Sequence, residues 1–117
     1  MDATPSPVLL TAALNLPVAA GRASAEVFVD GDLEVRFAAR PSDGMQAPHT
    51  RDELYFVASG ASRYRTRDQV TAVAAGDLLF AAAHTLHGFE DMSEDFSVWV
   101  LFYGPTRSVP PETPTSH

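Results

Sequence analysis

The sequence predicts an all-β fold: one small antiparallel β-barrel with little or no helix. Three observations predict it. The chain has 117 residues, which is one domain at roughly 100–200 residues per domain. Short runs that favour β structure recur between turn signals along most of its length. No segment carries a capped helical period. Hydrophobic residues make up 45% and charged residues 20%, enough apolar surface for one real core.

The elements follow in chain order. Residues 1–7 hold two prolines and few apolar anchors, and read as a flexible tail. Leu10 to Leu14 fits either a helix or a strand. Ala25 to Val29 and Leu33 to Phe37 alternate on either side of Asp30-Gly31-Asp32, a hairpin signal. Glu53 to Ala58 is a β-favouring run closed by Gly60. Ser62 to Thr66 alternates around Tyr64, and Arg63, Arg65 and Arg67 share the face that reads as solvated. Val70 to Ala74, Leu78 to Phe80 and His87 to Glu90 supply further short strands. The run from Phe96 to Tyr103 is apolar on nearly every position, so one face lines the barrel and the other needs cover. A second copy of the chain is the expected cover, giving a homodimer; a second sheet or the N-terminal segment Val8-Leu9-Leu10 is the alternative cover. Residues 105–117 hold four prolines and no aromatic residue, a composition expected to be disordered. The barrel domain is therefore placed at 8–104.

Composition excludes several chemistries. There is no cysteine, which removes disulfides, thiol nucleophiles and Cys-ligated zinc or iron–sulfur sites. Every basic residue is arginine, so lysine Schiff-base chemistry is absent. The net charge of -7 argues against binding nucleic acid or an anionic membrane surface. No run reaches the ~18 apolar residues of a membrane span. The N-terminus shows no basic stretch leading into an apolar one, so a cytoplasmic location is expected.

The histidines carry the functional signal. His49 and Glu53 are four apart in a segment that reads as a strand, and a period of two sets 49, 51, 53, 55 and 57 on one face. His87 follows after two further strands, a separation at which an antiparallel barrel can return beside Glu53. Two imidazoles and one carboxylate would make a facial triad with open coordination positions. The same residues could instead be surface polar groups at strand ends.

Here the residues resemble a family. His49-Thr-Arg-Asp-Glu53-Leu-Tyr-Phe-Val-Ala-Ser-Gly60 resembles the first cupin motif: a glycine, five residues, two histidines separated by one residue, three or four residues, a glutamate, six residues and a glycine. Gly76-Asp-Leu-Leu-Phe-Ala-Ala82-Ala-His84-Thr-Leu-His87-Gly-Phe-Glu-Asp91 resembles the second: a glycine, five residues, proline, one residue, glycine, two residues, histidine, three residues and asparagine. Pro41 and Ala47 stand where the first motif has its leading glycine and first histidine. Ala82, His84 and Asp91 stand where the second has proline, glycine and asparagine. The resemblance, to small single-domain cupins of the cupin-2 type, implies a double-stranded β-helix or jelly roll.

It also implies a metal. With Ala47 in place of a ligand, the usual three-His, one-Glu set reduces to His49, Glu53 and His87. One divalent ion per chain is expected, Fe(II) first, with Mn(II), Ni(II) or Zn(II) as alternatives. A site that has lost its metal is the other reading. His84 could replace the lost ligand or take part in proton transfer, or could be an exposed turn residue. Gln46 could reach the metal or a substrate through its amide. Arg51 could clamp an anionic substrate, or point to solvent at an irregular strand start. Tyr55 could move a proton or be a core tyrosine. Phe37, Phe80, Phe89 and Trp99 would pack the core or line an apolar pocket. The expected function is a metal-dependent enzyme acting on a small organic molecule, an oxygenase or a metal-assisted cyclase, isomerase or lyase. The alternative is a non-catalytic barrel that binds a metabolite or sugar.

Overall fold

The computed structural model describes residues 6–41, 44–46 and 49–108, with the backbone alone at 44–46. The expectations for residues 1–5, 47 and 109–117, and for the Gln46 side chain, lie outside the described residues. The described residues form α1 (Leu10–Ala13) and nine strands: β1 (Ala25–Asp30), β2 (Leu33–Ala39), β3 (Gly44–Gln46), β4 (Asp52–Ser59), β5 (Ala61–Thr66), β6 (Val70–Ala74), β7 (Leu78–Ala81), β8 (His87–Glu90) and β9 (Ser97–Tyr103). One sheet runs β1-β2-β9-β4-β7 and the other β3-β8-β5-β6. Every pairing is antiparallel. No helix among the described residues is long and apolar enough to cross a membrane.

The hairpin signal is realised as written: Asp30 pairs with Leu33 across Gly31 and Asp32. Leu10–Ala13 resolves its ambiguity as a single helical turn with no side-chain cap at Leu9, too short to persist without the buried Ala13. Strand β3 went unforeseen because three residues beginning with glycine carry no usable period. It lies beside β8 with Gln46 opposite His87.

Register decides which residues face inward. Glu53, Tyr55 and Val57 of β4 stand opposite Phe102, Val100 and Val98 of β9. Ala38, Tyr55, Val57, Val98 and Val100 meet Tyr64, Val73 and Phe89 of the other sheet in one buried cluster with Ala81 and Phe96. The intervening residues project from the opposite face. There Phe37, Trp99 and Phe56 lie side by side across β2, β9 and β4.

Gly60 makes the β4–β5 turn possible. Its φ is +75°, and an added Cβ would stand 2.7 Å from Phe96 N and Cα and closer still to Ser93 Oγ. Both the left-handed backbone and the close approach demand glycine.

Candidate metal centre

Two of the three ligand candidates are carried on strands. Glu53 lies one residue into β4 and His87 opens β8; their relative exposures are 3% and 1%. His49 precedes β4 in irregular chain and is half-buried. The alternation expected from residue 49 therefore starts only at Asp52. His49 still points inward, because loop contacts direct it there.

The three side chains converge. Glu53 Oε1 is 2.5 Å from His49 Nε2 and 3.2 Å from His87 Nε2. The two Nε2 atoms are 3.4 Å apart. Each imidazole donates its Nδ1–H to a backbone carbonyl, His49 to Arg51 at 2.7 Å and His87 to Thr85 at 3.1 Å. That fixes the tautomer and turns both Nε2 lone pairs toward the carboxylate. Glu53 Oε1 is then a buried acceptor without a hydrogen-bond partner among the described residues. Two lone pairs and a carboxylate oxygen facing one point call for a cation there. A proton can serve: its bond to Glu53 raises the His49 pKa above the ordinary range. A divalent ion serves better, because all three donors can bind it at once. Burial pushes the Glu53 carboxyl up, but the bonds and charges that protonated His49 and His87 would bring outweigh it, and the group is held below the ordinary carboxylate range.

Neighbours complete the centre. Tyr55 donates its hydroxyl to His87 Nε2 at 3.0 Å. Burial, followed by the Glu53 charge, pushes the Tyr55 hydroxyl up, so it stays a donor. A cavity of about 110 Å³ lies against Glu53 and Tyr55, walled chiefly by Ala38, Phe89, Val98, Val100 and Phe102. Tyr64 passes unnoticed in the sequence, although it shares its strand face with Ser62 and opposes Phe89 on β8. Its ring lies 6.3 Å from that of His87. Its hydroxyl is buried and unpartnered, and burial pushes it up to about 12.

Other candidates are placed elsewhere. Phe37 and Trp99 stack edge-to-face at 4.9 Å on the face of the five-stranded sheet turned away from Glu53, so they do not line the cavity. Phe80 is 54% exposed on that same face. Phe89 does line the cavity. Arg51 lies over the Phe102 ring at 5.0 Å and pairs with Glu34 at 2.5 Å; Phe102 in turn packs on His49. Glu34 also binds the buried Arg36. The His84 ring is turned to the Arg107 carbonyl, 2.6 Å away, and stays outside the triad. Arg63 and Arg65 pair with Asp91 and Glu90 at the surface.

The backbone explains two departures from the motif. His84 and Asp91, which replace its glycine and asparagine, both have positive φ, 66° and 52°. Those are the conformations glycine and asparagine adopt most readily.

Comparison with known proteins decides the family: the Cupin domain matches residues 33–103. The chain is a cupin. An uncharacterized protein of Streptomyces coelicolor is 40% identical over 60 residues, which span 51% of this chain and 57% of that protein. A cupin-2 conserved barrel protein from Salinispora arenicola superposes with a TM-score of 0.64 at 13% identity, covering 88% of this chain and 91% of that one. The DMSP lyase DddQ from Ruegeria pomeroyi superposes at 0.59 with 16% identity, covering 83% of this chain and 56% of its own. At these identities the two structures share the fold with this cupin.

Proposed function

We propose that this cupin is a metal-dependent enzyme that acts on a small, partly apolar organic molecule bound inside the barrel. The observation that carries the reading is the convergence of two tautomer-fixed imidazoles on a buried carboxylate oxygen that has no hydrogen-bond partner among the described residues. His49, Glu53 and His87 would hold the ion, with Fe(II) the first candidate for two imidazoles and a carboxylate. When bound, it supplies Lewis-acid polarisation of a substrate oxygen, or a place for dioxygen beside the substrate.

The chain's own residues supply the rest. Tyr55 gives its hydroxyl to the His87 lone pair that would hold a metal; with that nitrogen otherwise engaged, the hydroxyl would be free to donate to a substrate oxygen. The Tyr64 hydroxyl is a second donor without a partner among the described residues. Apolar walls on the small cavity exclude water and favour a hydrocarbon portion of the substrate. Oxygenase chemistry and metal-assisted cyclisation, isomerisation or elimination all fit these parts. The lyase named among the fold's neighbours places one such reaction on a related barrel.

The test is differential turnover. Metal-loaded wild type and Glu53→Ala are incubated with a small-metabolite library and followed by mass spectrometry. A compound consumed only by the wild type supports the enzyme. Retention of a compound by both proteins without turnover would favour the binding barrel.

We also propose that the active particle is a homodimer. Phe56, Leu78 and Phe80 are 39%, 57% and 54% exposed on the outer face of the five-stranded sheet, beside half-buried Trp99, Leu101 and Tyr103. A two-fold contact of about 800 Å² per chain would cover them. Light scattering giving one chain's mass at micromolar concentration would refute the dimer, and Trp99→Glu should dissociate it.

A further inference from the structure

The chain after β9 turns back across the loops that hold the two histidines. The Arg107 N–H donates to the Thr50 carbonyl at 2.7 Å. Its carbonyl accepts from His84 Nε2 at 2.6 Å. Its guanidinium grips Asp52 Oδ2 with Nε at 3.0 Å and a terminal nitrogen at 2.9 Å. Asp52 is buried, and its other oxygen accepts from the Ala83 N–H at 2.9 Å. One residue thus ties the approach to β4 to the turn at 82–85.

That turn holds the His49 backbone and the His87 ring. The His84 N–H donates to the His49 carbonyl at 2.7 Å. The Thr85 carbonyl accepts from His87 Nδ1 at 3.1 Å. His84 sits between these two bonds with φ of 66°, a conformation that is unfavourable for a non-glycine residue and needs surrounding contacts to persist. Arg107 and Asp52 provide those contacts.

We propose that Arg107 is a positioning residue of the metal centre, holding His49 and His87 in register through Asp52 and the 82–85 turn. This rests on the metal reading above. Arg107 touches neither the triad nor the cavity, so it acts on the geometry of the ligands alone. Second-sphere support of this kind changes metal affinity by about 10- to 100-fold.

The test uses the full-length protein loaded with Co(II) and measures its release to excess EDTA. Arg107→Ala should release Co(II) about tenfold faster than wild type, while the melting temperature of the metal-free protein stays within about 2 °C. Arg107→Lys should recover part of the loss, because an ammonium reaches Asp52 without the two-nitrogen grip. Asp52→Asn keeps an oxygen for the Ala83 N–H but loses the charge that the Arg107 guanidinium grips, and should also release faster. It provides the same reading should Arg107→Ala fold poorly. A wild type that retains Co(II), with both Arg107→Ala and Asp52→Asn releasing at its rate, would overturn this proposal alone. A wild type that never retains Co(II) would overturn the metal reading and this proposal with it.

Discussion

Glu53 and His87 are held by strands, whereas His49 is held by a loop. The first two are almost wholly buried, and the register of β4 and β8 determines where they point. His49 is half-buried and depends on three local contacts: the Arg51 carbonyl on its ring, the His84 N–H on its backbone, and the Phe102 ring against its edge. A sheet sets ligand direction through a ladder shared by many residues. A loop sets it through a few bonds that can be removed one at a time. The centre thus combines a rigid pair with an adjustable third ligand on its open side.

Alanine substitutions at the ligands should separate the two sides most strongly. Glu53→Ala and His87→Ala should each weaken Zn(II) binding by more than about 100-fold, since even second-sphere losses reach that size. His49→Ala should also weaken it, but least of the three, because water can enter from the exposed side to fill the position. Calorimetric titration gives the ranking; a His49→Ala loss larger than the other two would break the comparison.

Gly60→Ala should damage the strand side through the fold rather than through the metal. The new methyl meets Phe96 backbone at 2.7 Å in a left-handed turn, and such a clash costs about 2–4 kcal/mol. Thermal melting of the metal-free protein should show a clear fall in Tm. An unchanged Tm would mean that the turn can relax without disturbing β9.

The smallest effect belongs to Glu34, which braces Arg51 on the loop side. The hydrogen bond from Arg51 chiefly holds the Glu34 carboxyl below its ordinary value of 4.5. A lowered folded pKa means stability that is present above the ordinary value and lost as pH falls through the folded one. Wild type should therefore melt slightly above Glu34→Gln at neutral pH, and the gap should close in acid. A gap that persists in strong acid would assign the difference to packing.

Much of the strand side was legible in the sequence. Alternation from residue 53 places Glu53 and Tyr55 together, and the spacing of the two motifs brings His87 back beside them. The inward direction of His49 was expected from strand alternation, but a loop supplies it. Phe37 is buried against Trp99 on the outer face rather than lining the cavity, a side the sequence left open because β9 is apolar on both faces. Arg36 also occupies an inward position on β2, where it bonds Ser24 and Glu34, and so obscures which side of the strand is interior. Tyr64 was findable from its face but is flanked by arginines that draw attention to the solvent side. Arg107 was not findable, because it lies in a proline-rich stretch whose composition reads as a tail, and its bonds exist only once the barrel has closed.

Elemental analysis of the protein purified anaerobically without a histidine tag tests the central claim most directly. Wild type should carry one equivalent of a divalent transition metal per chain, iron first, and Glu53→Ala and His87→Ala should carry almost none. A wild type that arrives empty and takes up none of Fe(II), Mn(II), Ni(II) or Zn(II) on titration would contradict the account, as would full occupancy in both variants.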